Sequence, residues 1–175
     1  MRRAVPALAA LAFLLLPLLW IEPRTYVTLT VAGLAMGMLL FLVASGLSLI
    51  FGLMDVLNFA HGALFSWGAF AGFSAVVLLD RRLGWASAPS PLASLGLLVA
   101  AVLAAALVAA ALGVLLERVV VRPVYGQHLF QILITLGATI VLEELIRIAW
   151  GPNDQVVPLP VALQGSWDLA DVIVL

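Results

Sequence analysis

The chain has 175 residues, of which 65% are apolar and 10% charged, with net charge −1 and mean hydropathy +1.24. A water-soluble domain is nearer half apolar and a quarter charged, and none of this size could hide so much apolar surface inside. The balanced charge excludes the basic face that a nucleic-acid partner demands, and the absence of Cys excludes disulfides and thiolate metal sites.

Backbone polar groups in lipid must be satisfied internally, so spanning segments are helices or closed barrels. Barrel strands alternate polar and apolar residues over short stretches. The apolar runs here are long and unbroken, which predicts an all-α, polytopic transmembrane bundle with lipid as its surroundings. Each helix needs about 20 residues to cross the hydrocarbon core.

The first predicted span is Ala4 to Ile21, between Arg2-Arg3 and Glu22-Pro23-Arg24. A secretory signal peptide is the competing reading, but the run is long and no small-x-small cleavage site follows it. Tyr26 to Leu79 is apolar almost throughout, too long for one span. The polar cluster at Asp55-Val56-Leu57-Asn58 is its expected break, giving a second span near Val27–Phe51 and a third near Val56–Leu79. Asp80-Arg81-Arg82 ends the third. The fourth runs from about Pro91 to Leu116 and stops at Glu117-Arg118. The fifth runs from about Leu129 to Trp150, closed by the turn signal Gly151-Pro152-Asn153-Asp154. A Pro-containing loop follows through Gly165. Asp168 to Leu175 turns apolar again, too short to span, and reads as the start of a sixth helix.

Basic residues in short loops lean toward a cytoplasmic N-terminus, with Arg118 and Arg122 on the same side as Arg2 and Arg3. Trp20, Trp85, Trp150 and Trp167 fall near span ends or in loops, as interfacial belts require, whereas Trp67 does not.

Candidate functional residues concentrate in the break. Asp55, Asn58 and His61 are spaced i, i+3, i+6, between Gly46, Gly52 and Gly62. On a helix the three side chains would share one broad face. Ionisable groups at membrane depth are costly and usually face a bundle interior or an aqueous cavity. The glycines fit a discontinuous helix whose freed backbone groups line a transport path. An ordinary cytoplasmic turn, with Asp55 and Asn58 as turn or N-cap residues, fits the same pattern. Gly52, Asp55, Asn58, His61 and Gly62 are thus the candidate translocation-path or helix-break residues. A metal site is not expected, because His128 is the other His and further ligands are lacking.

Gly33-x-x-x-Gly37 and Gly68-x-x-x-Gly72 allow close helix approach. Glu143, Glu144 and Arg147 can pair along one face of the fifth span, most simply as an ion pair near the interface. No phosphate-binding Gly-rich loop, His-Glu-x-x-His helix or Gly-x-Ser-x-Gly turn occurs. Nothing in the sequence points to an enzyme.

The stretch from Gly46 to Gly62, Gly-Leu-Ser-Leu-Ile-Phe-Gly-Leu-Met-Asp-Val-Leu-Asn-Phe-Ala-His-Gly, followed by Trp67-Gly68-Ala69-Phe70, resembles the signature of branched-chain amino acid ABC transporter permeases. It is most similar to the Leu/Ile/Val high-affinity uptake type. Glu117 to Gly126 resembles the family's basic loop after its fourth helix, and Ile134 to Arg147 with Trp150-Gly151-Pro152 resembles the next helix and its exit. The resemblance implies an inner-membrane importer subunit that binds no cofactor itself. Its expected partners are a second permease subunit, two ATP-binding subunits that hydrolyse ATP, and a periplasmic substrate-binding protein. Family permeases are considerably longer, so residues 1–175 read as a single permease domain forming the N-terminal part of a longer one, without the loop that docks on the ATPase. The same scaffold resembles permeases for urea and short amides. A non-transport membrane scaffold or assembly subunit, and a channel or proton relay through Asp55, His61 and Glu143/Glu144, are the readings from other classes.

Overall fold

The structure is a computed structural model that describes residues 16–88, 90–158, 160, 167–169 and 172–174. Among the described residues, four helices are long and apolar enough to cross a membrane. Helix α1 is Pro23–Met54, α2 is His61–Leu83, α3 is Pro91–Leu116 and α4 is His128–Trp150. The chain is thus a multi-pass membrane protein.

Most of the first predicted span lies outside the described residues. Its described end, Leu16–Leu19, is one 3-10 turn, with the Ile21 N–H donating to the Pro17 carbonyl at 2.9 Å. Pro23 then opens α1, where a proline costs nothing because the first-turn N–H would lack an intrahelical partner anyway.

The third span corrects the sequence expectation at both ends. It begins at His61, not near Val56, because Asp55 to Ala60 leaves the helical path. At its far end the helix runs past Asp80-Arg81-Arg82 to Leu83 and stops at Gly84, whose φ of 63° suits a residue without Cβ. The two arginines sit in the last turn, where the helix dipole favours cations. Asp80 accepts the Ala86 N–H at 2.8 Å and so fixes the exit.

Helix α3 ends at Leu116 as expected, yet the chain does not stop turning. Glu117–Val121 continues as a π-helix and Arg122–Val124 as a 3-10 turn. Pro123 lacks an N–H and ends the regular path there.

The predicted start of a sixth helix is also corrected. Trp167–Leu169 and Val172–Val174 are short antiparallel strands, β1 and β2, with Trp167 paired to Val174. Val172, Ile173 and Val174 are β-branched residues that suit a pleated pair.

Two compact units divide the chain, Met1–Leu40 with Gly165–Leu175, and Phe41–Gln164. The first holds the opening part of α1 and the β1–β2 pair. The second holds the rest of α1 and helices α2 to α4.

Within the second unit, glycine and alanine set the α2–α3 spacing. A Cβ at Gly72 would lie 3.2 Å from the Ala101 carbonyl oxygen, and one at Gly68 would lie 3.5 Å from that of Ala105. Close backbone approach replaces the hydrophobic drive that lipid cannot supply between helices. The partners descend along α3 as α2 ascends, so the pair is antiparallel. Among the described residues, no neighbour lies within 4 Å of a Cβ built at Gly33 or Gly37. Tryptophans join α2 to α4. The Trp67 indole donates to the Leu142 carbonyl at 3.0 Å, and that of Trp150 to the Ser74 hydroxyl at 2.8 Å. The Trp67 and Trp150 rings meet edge-on at 5.5 Å. Here residue numbers rise together, so α2 and α4 run parallel.

Candidate site at the helix break

Asp55 turns the chain out of α1. Its φ of 52° makes it the described non-glycine residue in the left-handed region, which Asp tolerates better than most. Gly52 lies inside α1 and Gly62 inside α2, so neither glycine forms the break.

From Asp55 the backbone runs alongside the first turns of α4. The Asp55 carboxylate lies 3.7 Å from His128 Nε2. Two residues on, the Leu57 N–H donates to the Gln131 side-chain oxygen at 3.3 Å. Two further on, the Phe59 N–H donates to the Thr135 hydroxyl at 3.2 Å. This register is geometric: two extended residues advance about 6.6 Å and four helical residues about 6 Å, so the segment and the helix keep step.

Gln131 and Thr135 are almost fully buried, at 1% and 0% exposure. Gln131 also donates from Nε2 to the Val124 carbonyl at 3.3 Å, so both ends of its amide are engaged and its orientation is settled. The single Thr135 proton can reach the Gln131 carbonyl at 2.7 Å or the Leu57 carbonyl at 3.3 Å. Non-helical backbone inside a membrane protein is tolerated only where protein or water satisfies it. Here two side chains of α4 do so for the Leu57 and Phe59 N–H groups.

Asn58 and His61 finish the turn. Asn58 Oδ1 accepts the Ala60 N–H at 3.1 Å, and its carbonyl accepts the His61 N–H at 3.3 Å. Ala60 is the N-cap of α2 without a side-chain cap, so Asn58 acts as a turn residue. The His61 ring reaches back to α1, where Nε2 lies 3.2 Å from the Val43 carbonyl oxygen. Beneath the segment, Val56 and Ala60 pack with Leu116 and Val121.

Asp55, Asn58 and His61 therefore do not share a helical face. Asp55 stands at the exposed end beside His128, Asn58 is buried in the turn, and His61 ties α2 to α1. Sequence reasoning did not single out Gln131 or Thr135 as partners of the break. Their visible signal was a Gln and a Thr at i, i+4 on one face of an apolar helix. The basic loop adds one charge-coupled group: Tyr125 donates to Glu117 Oε1 at 3.1 Å. Desolvation, reinforced by that hydrogen bond and by the Glu117 charge, raises the Tyr125 phenol above its ordinary value, and Arg122 opposes the rise. Glu144 and Arg147 form an exposed pair at 3.3 Å, the plain surface role expected of them.

Residues 29–169 match the family described as branched-chain amino acid transport system / permease component. The high-affinity branched-chain amino acid transport system permease protein BraD of Pseudomonas aeruginosa is 29% identical over 134 residues, covering 76% of this chain and 41% of the relative. The permease protein LivH of the corresponding Escherichia coli K12 system is 31% identical over 140 residues, covering 77% and 41%. LivH of Salmonella typhimurium is 29% identical over the same length. The chain thus spans about two-fifths of the length of the curated relatives it matches, 41% in each case. No solved structure matches it significantly. With the family match running from within α1 through the break to β1, the chain belongs to the branched-chain amino acid transport permeases.

Proposed function

We propose that this chain is an inner-membrane permease subunit of an ABC importer for branched-chain amino acids. A substrate-binding protein delivers the amino acid from the periplasm, and two cytoplasmic ATP-binding subunits hydrolyse the ATP that drives transport. A second permease subunit completes the pathway, and the chain itself binds no cofactor. The family match and the names of the relatives support the substrate and the permease role.

The observation that carries the reading is the break held on α4 by Gln131 and Thr135. It places irregular backbone beside a spanning helix with the Leu57 and Phe59 N–H groups satisfied by side chains of that helix, the arrangement by which transporters build a path from few polar residues. Tight packing makes α2, α3 and α4 one body, whereas the end of α1 is tied to α2 through the His61 imidazole. Rocking of such a body against residues 41–54 of α1 would open and close the route along the break.

The test is uptake into membrane vesicles containing the chain with its co-expressed partner subunits and binding protein. Leucine uptake that requires ATP is the expected result. ATP-independent flux would favour a channel, and uptake of urea without leucine would move the substrate to short amides. No uptake together with no co-purifying ATPase would leave a scaffold.

A further inference from the structure

Beside the break lies a pocket of about 230 Å³, walled by Leu47, Ser48 and Phe51 of α1 and by Leu57, Asn58 and Phe59. Its walls are hydrocarbon apart from two groups. The Ser48 hydroxyl donates to the Ala44 carbonyl at 2.9 Å, which leaves its oxygen as an acceptor. Asn58 is only 8% exposed, and its Oδ1 is committed to the Ala60 N–H. That bond fixes the amide, since a flip would set two donors against each other.

The Asn58 Nδ2 has no hydrogen-bond partner among the described residues, although no fully buried side-chain nitrogen or oxygen there goes unbonded. Nδ2 is therefore not fully enclosed, and Asn58 is one of the residues that line this pocket. A buried amide with a free donor is an incomplete site, because polar groups in such surroundings are normally paired.

We infer that the pocket receives the branched aliphatic side chain of the transported amino acid while Asn58 Nδ2 donates to its carboxylate. This assignment rests on the importer reading above. The apolar walls suit a leucine-like side chain, and no wall residue carries a charge that could compensate a cationic or anionic one. The volume is below the roughly 300–1,000 Å³ of sites for drug-sized ligands, which fits one small solute. A lipid acyl chain would fill the hydrocarbon but leave Nδ2 unpaired. The Ser48 oxygen alone would serve the ammonium group, so binding is weak, as a station on a path requires.

The experiment uses the full chain in lipid nanodiscs, photolabelled with a diazirine analogue of leucine and mapped by mass spectrometry. Adducts are expected at Phe51 or Phe59, reduced at least tenfold by excess leucine and by Leu47→Trp, which fills the pocket, but not by excess lysine. Absence of adducts there, or adducts that excess leucine leaves unchanged, would overturn the assignment. Labelling of these residues by a diazirine phospholipid that leucine does not displace would hand the pocket to lipid and overturn it as well. The uptake assay separates the two readings. Leucine-competed labelling in a chain that supports no uptake would keep an amino-acid pocket and remove the importer role. Uptake without labelling would remove the pocket alone.

Discussion

The imidazole of His61 stands where a side chain at Gly46 would have to be: a Cβ built there meets Nε2 at 2.9 Å. The same ring nitrogen bonds the Val43 carbonyl oxygen, so glycine and histidine form one fastening between α1 and α2. Replacing Gly46 by Leu should destabilise the protein by about 1–3 kcal/mol, the usual range for overpacking. Adding His61→Ala should recover part of the loss. Thermal unfolding of the two single variants and the double variant in nanodiscs measures the coupling, and strict additivity would argue against the fastening.

Thr135→Val should cost about 1–3 kcal/mol, because the Phe59 N–H loses its acceptor in a buried setting. Thr135→Ser should cost much less. Hydrogen exchange at the Phe59 amide should accelerate in the valine variant and stay slow in the serine variant. Equal exchange in both would show that the hydroxyl does not hold the break.

Gly72→Leu should separate α2 from α3, at a cost of about 1–3 kcal/mol, since the Ala101 carbonyl oxygen is backbone and cannot step aside. Gly33→Leu and Gly37→Leu should leave the chain's own stability nearly unchanged, as neither position has a close neighbour among the described residues. Parallel unfolding measurements on the isolated chain decide the contrast.

Tyr125 should ionise above the ordinary tyrosine value, and Glu117→Gln should bring it down by removing the carboxylate that raises it. The folded-state value is the higher one, so the stability tied to this group is fully present below the unfolded value near pH 10. It is lost as pH rises through the folded value. Absorbance titration at high pH in a Tyr26→Phe background reads the shift directly.

The four described spans were legible, though not all their ends, because lipid imposes a simple rule on composition. Pro91–Leu116 and the end at Trp150 follow directly from apolar length and turn residues. The break near Asp55 was legible for the same reason, since a run from Tyr26 to Leu79 cannot cross only once. Its form was not. Local pattern allowed a helical face for Asp55, Asn58 and His61, and only packing against α4 makes the extended path affordable by supplying Gln131 and Thr135 as hydrogen-bond partners.

By itself the sequence determined that the chain lives in a membrane, the courses of α1, α3 and α4 and the place where α1 gives way, because hydropathy and span length act locally. The tertiary structure decided which groups meet at the bend. Gln131 and Thr135 stand more than seventy residues from Leu57 and Phe59, and no local pattern links residues so far apart. Only the parallel placement of α2 and α4, secured by Trp67 and Trp150, brings the start of α4 to the broken backbone.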